Sequence, residues 1–302
     1  MSNTPDIFDN LFRFSPKIDD DDLYVPSTQP ASSSNVNFNH TPLPSHPHPI
    51  PDDFIVFSQN AHRNNASVHA ILNVASSMSP PADLILIQEP YYGKIGTNTG
   101  MAQGNPIYDV FGCPKHQHWQ VLLPDGSTPD NKPDVLIYVP NRRTKWTFHL
   151  RSDIVSAKGL MCVEIRSSSN PFLVFNVYND ADNGACDLIA SLRNVLPRAL
   201  FMGDFNLHHP LWARDDNLNK HSERADRLVE HMASNGYAIL NNHGEETFSI
   251  YRKTKSGPRH LYTSTLDLAW ASGELSHFVK EFQVAQHLCV GSDHYPLKVT
   301  LQ

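Results

Sequence analysis

Seven short apolar runs punctuate the chain, and most of them stop at a polar residue. They read DFIVFSQN, DLILIQE, DVLIYV, LMCVEI, PFLVFNVY, RALFMGD and LDLAW. Continuous β-branched and aromatic runs of this length, without polar alternation, are strands covered on both faces. A chain built from them must supply apolar layers above and below each sheet.

The stretches between the runs supply those layers. Val68, Ile71, Leu72 and Ala75 fall at i, i+3, i+4 and i+7, as do Ala185, Leu188, Ile189 and Leu192. Ala225, Leu228, Val229 and Met232 repeat the spacing, and Asn235-Gly236 follows as a helix stop. Strands and helices mixed in this way predict one α/β domain over residues 52–302, with no internal repeat visible. Residues 1–51 are predicted to be a disordered tail. They hold DDDD, SSS and the proline- and histidine-rich TPLPSHPHPIP, which cannot build a packed core.

Several function classes are excluded at this stage. Cys113, Cys162, Cys186 and Cys289 are widely spaced and form no CxxC pair, so neither a zinc ribbon nor a disulfide framework is expected. No basic segment leads into an apolar one at the start, and no apolar run approaches the roughly 18 residues of a membrane span. These features predict an intracellular protein without a membrane partner. The formal charge of −7 argues against nucleic acid less than it first suggests. Six acids against Arg13 and Lys17 put −4 of it in residues 1–50, leaving −3 for the other 252.

The ends of the runs carry the chemistry. Asn60, Glu89, Tyr178 and Asp204 close four of them, Asp267 opens another, and Asp293 stands beside His294. One acid at a strand end is commonly a turn residue or a helix cap. Four that converge at one edge of an α/β fold repel one another and need a cation or shared protons. Carboxylates with an asparagine and no thiol suit a hard, oxygen-preferring ion, Mg²⁺ or Mn²⁺. The two-residue spacing of Asp204 and Asn206 would send both side chains out on one side of an extended strand.

Asn60, Gln88-Glu89, Tyr178, Gly203-Asp204-Phe205-Asn206, Asp267 and Ser292-Asp293-His294, in this order, resemble the endonuclease/exonuclease/phosphatase superfamily. Within it, LILIQEPYYGKIG, FNVYND, GDFNLHHPLW and STLDLAW are similar to the endonuclease domains of non-LTR, LINE-type retrotransposons. Abasic-site repair endonucleases tend to have a tryptophan before the first asparagine and a proline after the tyrosine motif. Gln59 and Asn179-Asp180 stand there instead.

The resemblance implies a four-layer αββα sandwich, with two packed mixed β-sheets flanked by helices. It implies a metal-dependent phosphodiesterase that nicks one DNA strand and leaves a 3′-hydroxyl, with nuclear action on chromosomal DNA. In relatives such a domain can belong to a reverse-transcriptase polyprotein, and no small organic cofactor is implied. The alternatives are an abasic-site or exonuclease-type repair nuclease, an inositol or lipid phosphatase, and a non-catalytic nucleic-acid binder.

By the same resemblance, Asn60 and Glu89 hold the metal and Asp293 completes its acidic surroundings. Asp204 deprotonates the attacking water and Asn206 orients it or contacts phosphate. His294 bonds a phosphate oxygen, Asp267 fixes its tautomer, and Tyr178 contacts phosphate or the leaving oxygen. Thr247 corresponds to a threonine near the site. Arg252, Lys253, Lys255 and Arg259 lie where relatives place a DNA-contacting hairpin, and clustered cations suit backbone phosphate. Tyr91 and Tyr92 can stack on bases or wall the cleft. His208 and His209 point apart on an extended chain and, with Trp212, are expected to pack their own loop.

Overall fold

In chain order the strands and helices interleave as the runs predict. The computed structural model describes residues 53–98, 108–167, 171–180, 184–192, 196–214, 221–253, 257 and 259–302. The tail predicted over residues 1–51 lies outside the described residues. Strand β1 (Phe54–Asn60), helix α1 (Asn65–Ser77) and β2 (Leu84–Gln88) come first, then β3 (Gly93–Asn98), β4 (Tyr108–Gly112) and β5 (Trp119–Leu122). Next come β6 (Val135–Pro140), β7 (Thr147–Leu150), β8 (Ser156–Ala157), β9 (Leu160–Arg166) and β10 (Phe172–Tyr178). Helix α2 (Ala185–Ser191), β11 (Ala199–Asp204), α3 (Glu223–Ser234) and β12 (Tyr237–Ile239) follow. The chain closes with β13 (Phe248–Lys253), β14 (Arg259–Ser264), β15 (Asp267–Ser272), α4 (Gly273–Ser276), β16 (Val279–Val284) and β17 (Leu297–Leu301).

Two large sheets result. The first has the order β16-β17-β1-β2-β6-β5, and the second β12-β15-β11-β10-β9-β7 with β8 on β9. Each is centred on one parallel pair, β1 with β2 and β10 with β11, while every neighbouring pair is antiparallel. A helix links each parallel pair, α1 in the first sheet and α2 in the second. The strand plan therefore repeats, although no repeat is visible in the sequence.

The period of two along each strand divides its side chains between two cores. Phe54 and Val56 of β1 point inward, where they meet Leu84, Leu86, Val163, Val174, Leu200 and Met202 from both sheets. Ile55 and Phe57 point outward, onto Val68, Ile71, Leu72 and Ala75 of α1. On the other sheet, Phe175, Phe201 and Trp270 face α2 and α3. Three apolar layers thus separate four structural ones, the αββα sandwich that the resemblance implies. Each fully buried Phe, Leu or Ile stabilises by about 1.5–3 kcal/mol. That exceeds the ~0–1 kcal/mol of an exposed ion pair, so these layers hold the fold.

The helices follow their predicted faces with one exception. Val68, Ile71, Leu72 and Ala75 are all buried, as are Ala225, Leu228 and Met232, and Asn235 caps α3 before Gly236 at φ 72°. In α2, however, Leu188 is exposed and Cys186 takes the inward place. The helix is only seven residues long, too short for the spacing to fix its rotation unambiguously.

One polar side chain ties the two sheets together. Asn176, on β10 and fully buried, donates to the carbonyls of Ile87 (3.0 Å) and Leu136 (2.8 Å) across the core and accepts from Gln88 Nε2 at 2.6 Å. Gly203 leaves room beside it. Its φ is +146°, and a Cβ there would sit 2.1 Å from the Val177 carbonyl oxygen and 3.0 Å from Gln88 Nε2. Gly203→Ala is therefore expected to lower stability by on the order of 2–4 kcal/mol, measured by urea unfolding. An unchanged midpoint would show that the backbone tolerates a methyl group there.

Candidate active site

The polar ends of the two parallel pairs emerge on the same side and meet. Asn60 ends β1 in the first sheet, is wholly buried, and shares its amide nitrogen between two carboxylates. Nδ2 donates to Glu89 Oε1 and to Asp204 Oδ2, both at 3.0 Å. Glu89 follows β2 and Asp204 ends β11, so one amide spans the two sheets. Asn60 Oδ1 accepts the His62 N–H at 2.8 Å.

Asp267 begins β15, directly opposite Asp204 in register. It presents both carboxylate oxygens to His294 Nδ1, at 3.1 and 2.9 Å. His294 Nε2 then lies 3.9 Å from Asp204 Oδ2, and all three side chains are buried. With Nδ1 bound to a carboxylate, the imidazole is oriented and its Nε2 is free to act on what enters the cleft. Ser292 Oγ donates to the Asn60 carbonyl and accepts the His294 N–H, fastening the 292–294 loop to β1.

The electrostatics follow from burial. Burial pushes the Asp204 carboxyl well above the usual carboxylate range, helped by Asp267 and Glu89, while His294 and the Asn60 amide pull it down. Burial opposes a charged His294, but the Asp267 and Asp204 carboxylates outweigh it and raise the imidazole well above its ordinary range. Tyr178, at the end of β10, is raised by burial and by Glu89, Asp204 and Asp180, so it stays a neutral phenol able to donate a hydrogen bond.

Four expected residues have settings that their spacing did not specify. Asn206 is not on an extended strand: β11 stops at Asp204, and Asn206 turns into the left-handed region at φ 49°. Its N–H donates to Asp204 Oδ1 at 3.0 Å, so the turn rather than the strand pleat brings the pair together. Thr247 is fully buried, and its hydroxyl oxygen accepts the N–H groups of Leu266 and Asp267, both at 2.9 Å. It sets the backbone of Asp267 instead of reaching a substrate. Tyr91 and Tyr92 pack, partly buried, against the α1 side of the first sheet.

Arg252, Lys253 and Arg259 are exposed on the β13–β14 hairpin, where Lys253 pairs directly with Arg259 and Arg252 lies 5.7 Å from the Tyr262 ring. Lys255 lies outside the described residues. Phe248, at the base of this hairpin, bridges to His294 and meets its ring at 4.8 Å.

His209 packs on Trp212 at 5.1 Å, as its loop role predicts. It also joins His221 in contacting one oxygen of Asp226, at 3.3 and 2.8 Å. Such a trio can hold a metal. Here, though, His209 Nδ1 accepts the Leu211 N–H at 3.0 Å. That assigns the proton to Nε2, the atom a metal would need, and makes the trio a hydrogen-bonded clamp from the loop to α3.

The residues around Asn60 do fit a hard cation. Glu89, Asp204 and Asp293 offer only oxygen, and Asp293 Oδ1 is buried without a hydrogen-bond partner among the described residues. The exposed His62 ring lies 4.0 Å from that oxygen, beyond hydrogen-bond distance, and a buried carboxylate oxygen without a hydrogen bond is costly unless a cation or proton meets it. Sequence reasoning missed Ser292 as a tether and Asn241. Asn241 accepts from Ala269 N–H and donates to the Asp267 carbonyl, standing in for strand pairing beyond β12. Neither has a periodic signal.

Comparison with known proteins agrees with this fold. Residues 172–298 match the endonuclease-reverse transcriptase family. The fold of the chain is similar to that of solved endonuclease structures. The endonuclease domain of TRAS1, a telomere-specific non-LTR retrotransposon, is similar at TM-score 0.60 and 18% identity, over 82% of this chain and 98% of that one. An abasic-site (AP) endonuclease from Leishmania major is similar at TM-score 0.55 and 13% identity, over 83% and 88%. No curated protein matches the sequence. Among the described residues, no helix is long and apolar enough to cross a membrane.

The raised His294 value has a consequence for pH. Stabilisation from its protonation is complete below the unfolded value of about 6.5 and is lost as pH rises through the higher folded value. Melting temperature should therefore fall on the alkaline side of neutrality. Asp267→Asn should flatten that fall and return the His294 ring titration, followed by NMR, toward neutrality. A wild-type ring that titrates at the ordinary position would contradict the assignment.

Proposed function

We propose that the protein is a divalent-metal-dependent DNA endonuclease that hydrolyses one phosphodiester bond and leaves a 3′-hydroxyl. The observation that carries this reading is the Asn60 amide shared by Glu89 and Asp204, with the Asp267–His294 pair beside it. That is an acid cluster for a cation, a base for water and a cation for phosphate within one cleft. The matched family and the retrotransposon and repair endonucleases of similar fold favour nucleic acid as the substrate.

Glu89, Asp293 and the side-chain Oδ1 of Asn60 would hold Mg²⁺ or Mn²⁺. A cation bound there neutralises charge on the phosphoryl oxygens. Asp204 takes the proton of the attacking water, a task suited to a carboxyl whose affinity for protons burial has raised. The Asn206 N–H on its other oxygen keeps it aimed. His294, held charged by Asp267, donates from Nε2 to a non-bridging phosphate oxygen as negative charge grows there. Tyr178, a neutral phenol, donates to the phosphate or the departing oxygen. Water adds to phosphorus as its proton passes to Asp204, the bond to O3′ breaks, and O3′ takes a proton from the Tyr178 phenol, which solvent water then restores.

On the β13–β14 hairpin, Arg252, Lys253 and Arg259 contact backbone phosphate beside the cleft, in a salt-dependent way. A reverse-transcriptase partner domain and nuclear action on chromosomal DNA complete the retrotransposon form of this proposal.

The test is nicking of supercoiled plasmid in Mg²⁺, with mapping of the ends. Asp204→Ala and His294→Ala should each slow nicking by about 10²–10⁴-fold while the melting curve stays cooperative, and EDTA should abolish it. Full activity in both variants would remove the mechanism. Phosphate release from inositol phosphates without any nicking would make the protein a phosphatase.

A further inference from the structure

A row of four charged residues runs along the edge of the cleft, from one sheet to the other. Arg63 N–H donates to the Glu89 carbonyl (2.7 Å), Glu89 N–H to the Asp134 carbonyl (2.9 Å), and Asp134 N–H to the Lys158 carbonyl (3.0 Å). Arg63 follows β1, Glu89 follows β2 and Asp134 precedes β6, all of the first sheet. Lys158 lies in the turn between β8 and β9 of the second.

The side chains of the row are joined as well. Arg63 Nη2 donates to Asp134 Oδ1 at 3.0 Å, Arg63 Nε lies 3.3 Å from Glu89 Oε2, and Lys158 Nζ lies 3.2 Å from Asp134 Oδ2. Arg63 thus bridges an acid inside the cleft to one outside it. Asp134 is 1% exposed, and a carboxylate so buried stays only where cations meet it, so Arg63 has a fixed anchor.

Backbone strain marks the same spot. His62, Arg63 and Glu89 have φ of 50°, 53° and 44°, a left-handed region that costs such residues on the order of 1–3 kcal/mol each. The strain brings Arg63 and Glu89 side by side. Asn60 already holds Glu89 Oε1, so the guanidinium on Oε2 leaves the carboxylate no freedom to rotate.

We infer that Arg63, anchored by Asp134, is a positioning residue that fixes the Glu89 carboxylate for the divalent cation. This rests on the metal site proposed above. Outer partners of a metal-binding carboxylate commonly change affinity by about 10–100-fold when removed. The direction separates positioning from simple charge. If Arg63 only repelled the cation, its removal would tighten binding. If it orients Glu89, its removal weakens binding, and so does Asp134→Asn, which leaves the Arg63 charge in place.

The experiment is Mn²⁺ titration of the full chain without DNA, followed by the electron paramagnetic resonance signal of free Mn²⁺, together with melting curves. Arg63→Met and Asp134→Asn should each raise the half-saturating Mn²⁺ concentration about tenfold. Arg63→Lys, which keeps the charge but loses the fork, should fall between wild type and Arg63→Met. Should Asp134→Asn fail to fold, the two Arg63 variants decide alone, since Arg63 is half exposed. Wild-type affinity or tighter binding in Arg63→Met overturns the inference while leaving the metal site standing. A wild-type protein that takes up no Mn²⁺ overturns both.

Discussion

A single amide nitrogen, Nδ2 of Asn60, stands between two carboxylates that would otherwise repel each other. Glu89 comes from one sheet and Asp204 from the other, and neither could lie this close to its counterpart, largely out of water, without a shared donor. The rest of the cleft is arranged around that contact. Asp267 sits opposite Asp204 in register, His294 spans the space between them, and Ser292 ties the histidine loop to the Asn60 carbonyl. The two hydrogen bonds of one buried side chain thus tie chain segments 144 residues apart to one geometry.

The sandwich makes that contact possible. Strands covered on both faces are mostly apolar along their length, so the carboxylates of the cleft stand at their ends. In each sheet the central pair is parallel, which puts two such ends on the same edge. Stacking the sheets brings four together. Asn176 and Gly203 set how the layers meet, one by bonding across the core and the other by leaving no Cβ in the way.

This is why so much was legible beforehand. Uninterrupted apolar runs mark the strands, the resemblance supplies the layer order, and the polar residues that bound the runs, Asn60, Glu89, Tyr178, Asp204 and Asp267, are the ones the fold brings together. What stayed illegible depends on backbone angles or on contacts far apart in the chain. Asn206 joins Asp204 through a left-handed turn that no spacing rule encodes. Thr247 looks like a site threonine and is one only indirectly, through the backbone of Asp267. Asp134 opens an apolar run much as Asp267 does, and nothing local distinguishes them. Only the fold shows that one backs a histidine and the other an arginine. His209 meets His221 and Asp226 only through the fold, and a single backbone N–H decides its proton.

The account's central claim is that acids from two sheets meet around one cation, and anomalous diffraction from Mn²⁺-soaked crystals tests it most directly. The account predicts one strong peak bounded by Glu89, Asp293 and Asn60, within reach of Asp204. A peak at His209, His221 and Asp226 with none in the cleft would contradict it, as would side chains of Glu89 and Asp204 that point into separate regions.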